Sequence, residues 1–282
     1  TPKNNGETDY GFLVRTLFRG NDVGNQPYNT KDIIKCHLSV CEHGTVHLKY
    51  PLFMPRAAAQ ATRFIHNQYS RTKEHEGYIY VTTNMRVLIE HHWMDKLEFI
   101  DATPNCPYYI PRPTICFITD IGASRELNRH RVNSISEEST RYCAYDKGKF
   151  GNGITVAKLP WIPNIDPEDE GHDYTEGFFN DNEIFNDGCI EEQYADNWNA
   201  IDWFFYGLQI CDLVYRKTRE LGWTAQQARE ILPLNTKTQV VHTAFVDDWE
   251  HWLALRSSEV SGKVHPMMAE LAKQLVKQVY PE

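Results

Sequence analysis

From Ile190 onward, apolar side chains fall at positions 190, 194, 198, 201, 205, 208 and 215. That three-or-four spacing predicts one long amphipathic helix ending near Gly222, where the glycine frees the backbone to turn. Trp198, Trp203 and the neighbouring phenylalanines read as its core-facing stripe. A helix of that length must pack against something, and the remaining segments supply a sheet. "IIKCHLSV", "GTVHLKYP", "GYIYVTT", "TICFITD" and "KTQVVHTAF" are β-rich and read as strands. Pro55 sits at the first turn of a helix in "PRAAAQATRFIHNQYS", and Asn84 can cap "MRVLIEHHW". After a proline-broken loop from Thr103 to Pro113, "TICFITD" leads through Gly122 into a helix in "ASRELNRHR". "TAQQ" matches a capping box, Asp247 or Asp248 can cap "WEHWLALRSS", and a final helix follows Pro266. Strands and helices do not alternate strictly. The pattern therefore favours an α+β fold over a doubly wound sheet.

No low-complexity linker divides the 282 residues, so a single domain is expected, with a loose polar tail over 1–9. No apolar run approaches the roughly 20 residues of a membrane span and no signal-peptide pattern is seen. Seven cysteines, an odd number without CxxC pairs, point to reduced thiols and a cytoplasmic setting. Cys36, His37, Cys41 and His43 resemble half a zinc site, but no second ligand pair follows at finger-like spacing, and no metal is expected. A net charge of -9 argues against nucleic-acid binding. Between Lys158 and Arg216 there is no lysine or arginine, and residues 160–190 read as an acidic surface insertion.

Against that background "RHRVNSISEESTRY", Arg129 to Tyr142, gathers positive charge in a segment too polar for a core. On a helix, Arg125 and Arg129 share one face, and two such guanidiniums suit an anion held between them. Hydroxyls and backbone N–H groups from Ser134 to Thr140 can cradle phosphate oxygens. The same arginines could instead be spent on surface ion pairs with Glu126, Glu137 and Glu138. Ser139 lacks the G-x-S-x-G setting of a serine nucleophile.

The spacing Arg129-His130-Arg131, seven residues, Ser139, one residue, Arg141 resembles the RHR-x7-S-x-R signature of the flavin-dependent thymidylate synthases. "REILPLNTKT" and "WLALRS" resemble the C-terminal part of that family, and "SVCEHGTVHL" its approach to the first strand. The resemblance implies methylation of dUMP to dTMP, with methylenetetrahydrofolate as carbon donor and NADPH as reductant, through FAD. It places Glu126, Leu127, Asn128, Arg129, Glu137, Glu138, Ser139, Thr140, Arg141, Arg229 and Arg256 at dUMP, with Arg256 against the pyrimidine as the catalytic residue. It places Ser39, Glu42, Arg129, His130, Arg131, Glu137 and His251 at FAD. It also implies the α+β fold of that family, an antiparallel or mixed sheet flanked by helices with a long helix pair, and a homotetramer with shared active sites.

The chain departs from the family in several places. Ser136 stands where asparagine is common, and Glu126 where glutamine is common. Phe245 and Asp247 replace an Asn-x-Arg pair, while a similar pair occurs at Asn84 and Arg86. A related flavoenzyme acting on another pyrimidine nucleotide, or a non-catalytic nucleotide-binding module, remains open on these residues.

Overall fold

The protein is described by a computed structural model over residues 38–101, 106–146, 153–162, 198–257 and 264–279. Within them, two three-stranded antiparallel sheets each carry their own helical cover. The tail over 1–9 lies outside the described residues, as does the acidic insertion beyond residue 162.

The first sheet has β1 (Thr45–Pro51), β2 (Arg71–His75) and β3 (Tyr78–Asn84) in the order β1-β3-β2. Alternation puts Val46, Leu48 and Tyr50 inward from β1. Ala57, Ala61 and Phe64, spaced by four and three, bring α1 (Pro55–Ile65) onto them, with proline at its first turn as expected. Glu76 and Gly77 join β2 to β3 with φ of 47° and 78°, the left-handed pair a two-residue hairpin turn needs. Asn84 ends β3 and caps α2 (Met85–Glu90), its side chain accepting from the Val87 amide at 3.1 Å.

The second sheet has β4 (Thr114–Asp120), β5 (Ser134–Glu137) and β6 (Lys237–Thr243) in the order β4-β6-β5. β4 runs directly into α3 (Ile121–Leu127). The long helix is α4 (Ala200–Glu220), opened by a reciprocal cap between Asn199 and Asp202 and followed by Gly222 at φ 96°. The short helix α5 (Ala225–Ala228) opens on the expected capping box of Thr224 and Gln227. α6 (Val246–Ser257) and α7 (Pro266–Val279) complete the order. Phe117, Val240, Trp249, Trp252, Met268 and Leu271 form the core between this sheet and its helices.

The two sheets are bonded through polar side chains. His43 ends a 3₁₀ turn (Leu38–His43), and its ring lies 2.7 Å from Thr243 Oγ1 and 2.9 Å from Ser136 Oγ. Arg112 donates to Ser134 Oγ at 2.7 Å and to Thr45 Oγ1 at 3.4 Å. Arg71 pairs with Asp247 and Asp248 and lies 4.5 Å from the Phe245 ring.

Several expectations are corrected. Leu38–Val40 are not strand: Val40 and Cys41 are adjacent and both buried, which a turn permits and a half-buried strand does not. The helix in "ASRELNRHR" stops at Leu127, so Arg129 lies beyond it rather than on its face. α6 starts at Val246, so Asp247 and Asp248 sit in its first turn instead of capping it. Of the helix expected from Ile190, positions 190–197 lie outside the described residues and Trp198 precedes the Asn199 cap, and Trp203 on α4 is 46% exposed rather than core. Strands in antiparallel sheets with helical cover agree with the expected α+β fold; among the described residues α4, with 21 residues, is the longest helix, followed by α7 with 14.

Candidate active site

Asp120 turns the chain from β4 into α3, accepting from the Ala123 amide at 2.6 Å. A Cβ at Gly122 would lie 3.1 Å from that carboxylate, which explains a glycine at the corner. α3 buries Ala123, Ser124 and Leu127 and leaves Arg125 exposed, with no ion pair among the described residues. Opposite it runs β5, whose Ser134 and Ser136 are buried while Ile135 and Glu137 are half-buried.

Between α3 and β5 opens a cleft of about 510 Å³. Of the residues expected at dUMP, Asn128, Glu137, Glu138, Ser139 and Thr140 line it, and of those expected at FAD, Ser39 and Glu137. Arg125 and Ser136 also line it. Asn128 Nδ2 donates to Glu137 Oε2 at 3.0 Å, and Glu138 is buried with its amide bonded to the Gln239 carbonyl. The walls therefore offer hydroxyls, one exposed guanidinium and two carboxylates, a mixture suited to a polar ligand rather than an apolar one. A larger cavity of about 740 Å³ lies between β4 and α7. Its walls mix apolar side chains such as Ile118, Leu159 and Met267 with Lys158, Lys237 and Glu270, and none of the residues expected at dUMP or FAD lines it.

A second group forms where the end of α6 meets the turn after α3. Arg256 Nη1 donates to Glu126 Oε2 at 3.2 Å, its Nη2 to the Glu126 carbonyl at 3.0 Å, and its Nε to His130 Nε2 at 3.1 Å. Arg129 approaches the same Glu126 carboxylate at 3.6 Å. His130 accepts the Arg256 proton on Nε2, so its ring is neutral there; burial, with help from Arg256 and His251, pushes its pKa down to about 4. The Glu126–Arg129 ion pair is thus present, while Leu127 is fully buried beneath and serves packing.

Other residues stand apart. Arg141 Nε donates to Gln226 Oε1 at 3.2 Å, three positions before Arg229, which pairs with Glu230. Arg131 and His251 are exposed. Glu42 is held by a short bond from Arg86, which also pairs with Glu90, so Glu42 faces α2 and not the cleft. Asn84 is a buried cap, its amide oxygen taken by Val87. His43 spends both ring nitrogens on hydroxyls; burial first, then Arg112, pushes its pKa down to about 4. Cys36 and His37 lie outside the described residues, and among those described no cluster of three or more His, Cys, Asp or Glu can hold a metal. The bridging role of His43 was missed from sequence, although the pair Glu42-His43 immediately before a strand marks the place.

A family model described as thymidylate synthase complementing protein matches residues 107–282. The chain belongs to that family. The match takes in the cleft and the Arg256 group but not Ser39, Glu42, Asn84 or Arg86. Over 68 residues the chain is 32% identical to a probable flavin-dependent thymidylate synthase of Paramecium bursaria Chlorella virus 1. That alignment covers 24% of this chain and 32% of the viral protein, so the chain spans about a third of its relative's length. A flavin-dependent thymidylate synthase of Helicobacter pylori, solved with FAD and dUMP, aligns over 59% of this chain and 66% of its own. The identity is 17% and the TM-score 0.36. A UMP/dUMP methylase from Streptomyces cacaoi bound with 5-Br UMP aligns over 60% and 67%, with 20% identity and a TM-score of 0.38.

Proposed function

We propose that this chain methylates C5 of dUMP to give dTMP, with methylenetetrahydrofolate as the carbon donor and NADPH as the reductant, using FAD. The observation that carries the reading is the hydroxyl-lined cleft under Arg125, beside the Arg256–His130 group, in a chain of this family. In this reading the Ser139 and Thr140 hydroxyls and Arg125 hold the phosphate of dUMP, while Asn128, Glu137 and Glu138 orient its sugar end. Arg141 and Arg229 close the same end from the α5 side. Arg256 meets the pyrimidine and stabilises negative charge developing on it, a preorganised effect of roughly 3 kcal/mol.

The residues present fit a flavin dinucleotide in one respect that can be tested. Arg129 and Arg131 leave two guanidiniums exposed on one tight turn, a pair able to grip a diphosphate. His130, neutral and backed by Trp252 at 5.9 Å between ring centroids, offers a flat uncharged surface beside them. Ser39 and His251 would complete that site; Glu42, engaged by Arg86, would not. When bound, the flavin supplies the redox chemistry, and the protein supplies orientation and field.

A homotetramer with shared active sites belongs to this reading. It is supported by α4, whose apolar residues are mostly half-buried, with only Leu213 and Tyr215 fully covered among the described residues. Light scattering on the purified protein should give four times the monomer mass.

The decisive assay is tritium release from 5-labelled dUMP with and without FAD, NADPH and methylenetetrahydrofolate, run in parallel with labelled UMP and dCMP. Release only from dUMP in the complete mixture is expected. A yellow, flavin-loaded protein that releases no label from dUMP would refute the reading, and release from another pyrimidine would reassign the substrate. Arg256→Ala should lose turnover by at least about a hundredfold while remaining folded.

A further inference from the structure

Arg256 is the only guanidinium in the candidate site whose three nitrogens are all engaged among the described residues, and two of the three bonds go to one residue. Glu126 offers both its carboxylate and its backbone carbonyl, and His130 takes the third nitrogen. The Arg256 side chain is 15% exposed against 33% for Glu126, so the contact is partly shielded from water, where charge-assisted bonds are stronger than on an open surface. Arg129 reinforces it by approaching the same carboxylate oxygen. An anion arriving at Arg256 therefore finds one arm of the fork already held by a carboxylate of the protein, and the others by a carbonyl and a neutral ring.

We propose that the Glu126 carboxylate masks Arg256 as a built-in competitor, and that a ligand gains Arg256 only by displacing it. The proposal rests on reading this site as the one that receives a pyrimidine nucleotide. Its physical consequence is a conformational tax. The affinity observed is the intrinsic affinity multiplied by the fraction of molecules in which Arg256 is released. Glu126 thus sets how negative, and how well placed, an incoming edge must be before it competes.

A plain repulsive charge near the ligand would also weaken binding, and two substitutions separate the cases. Glu126→Gln removes the charge and keeps the length of the arm, leaving a weaker neutral acceptor where the carboxylate was. Glu126→Asp keeps the charge but shortens the arm by one methylene, which is enough to break a hydrogen bond held at 3.2 Å. On the flavin-loaded protein, two quantities are to be measured. One is the rate of phenylglyoxal addition at Arg256 without nucleotide, followed by peptide mass mapping. The other is the dUMP dissociation constant by equilibrium dialysis. Masking predicts that both variants label Arg256 faster than the parent, and that both bind dUMP more tightly, about tenfold for Gln, the factor that corresponds to ~1.4 kcal/mol. Labelling of Arg256 that is equal in all three proteins overturns the proposal, as does an Asp variant that matches the parent in both measurements. Faster labelling in both variants with no dUMP binding by any protein would leave the masking intact and overturn the nucleotide reading instead.

Discussion

Replacing His43 with glutamine takes one ring out of the seam between the two sheets and with it one base that stays uncharged when the chain is folded. Both ring nitrogens face hydroxyls, Thr243 Oγ1 at 2.7 Å and Ser136 Oγ at 2.9 Å, and burial followed by the Arg112 charge brings the pKa from 6.5 to about 4. A drop of about 2.5 units at about 1.36 kcal/mol each corresponds to roughly 3 kcal/mol between folded and unfolded affinity for the proton. The sign follows from which state binds it. Between about pH 6.5 and about pH 4 the unfolded chain is protonated at His43 and the folded chain is not, so stability falls as pH falls. Above that window the contribution is constant and complete; below it no more is lost. His130, at about 4, and His242, at about 3, act in the same direction, again mainly through burial.

Glutamine does not titrate. At about pH 7 the variant should be less stable by ~2 kcal/mol, the loss of well-formed buried hydrogen bonds. On acidification the parent should lose its advantage at up to about 1.4 kcal/mol per pH unit, one proton's worth, so that the two curves meet near about pH 5 and cross below it. Urea unfolding followed by tryptophan fluorescence, repeated across the window, gives the difference directly. A difference that stays constant with pH would show that His43 is not held neutral, and the account of the seam would fail.

Other outcomes follow from single contacts. Gly222→Ala should cost ~1 kcal/mol in a thermal or urea melt, because φ is 96° and no neighbour lies within 4 Å of the added carbon; an unchanged melt would remove the backbone argument. Asn84→Ala should cost ~1 kcal/mol through loss of the α2 cap while leaving flavin absorbance per mole of protein unchanged; lost flavin would place Asn84 at the cofactor after all. Trp252→Ala, a fully buried side chain packed on Phe117 and Trp249, should cost about 3–5 kcal/mol in urea unfolding, and a loss below about 1 would mean that α6 can collapse into the space.

Which parts could be read from the chain depends on where their partners lie. β1, β3, β4 and β6 are legible because their apolar residues face a core, and α1 because Ala57, Ala61 and Phe64 repeat at helical spacing. β2 gives no such signal: "RTKEH" is polar throughout, and Arg71 holds it in place by reaching Asp247, 176 positions away. The cleft residues Asn128 and Glu137 to Thr140 were legible through the spacing of the arginine loop. That Glu42 turns to Arg86, and Arg256 to Glu126, is set by packing that no spacing encodes.

β5 shows the limit most clearly. "SISE" does alternate, but with the sense inverted, since Ser134 and Ser136 are buried and Ile135 and Glu137 are half-buried. A pattern reader takes such a segment for a loop, because burying a hydroxyl without a partner costs free energy and the partner is not in the segment. Here the partners arrive from the first half of the protein and from the loop before β4. Arg112 reaches Ser134, and His43 reaches Ser136 and, through Thr243, also the neighbouring strand. The inner face of β5 is therefore stable only once the sheets have met, and the same meeting places Ser136 on the wall of the cleft. The site and the seam between the sheets are one polar network. A residue such as His43 can then control stability and site geometry together without touching a ligand.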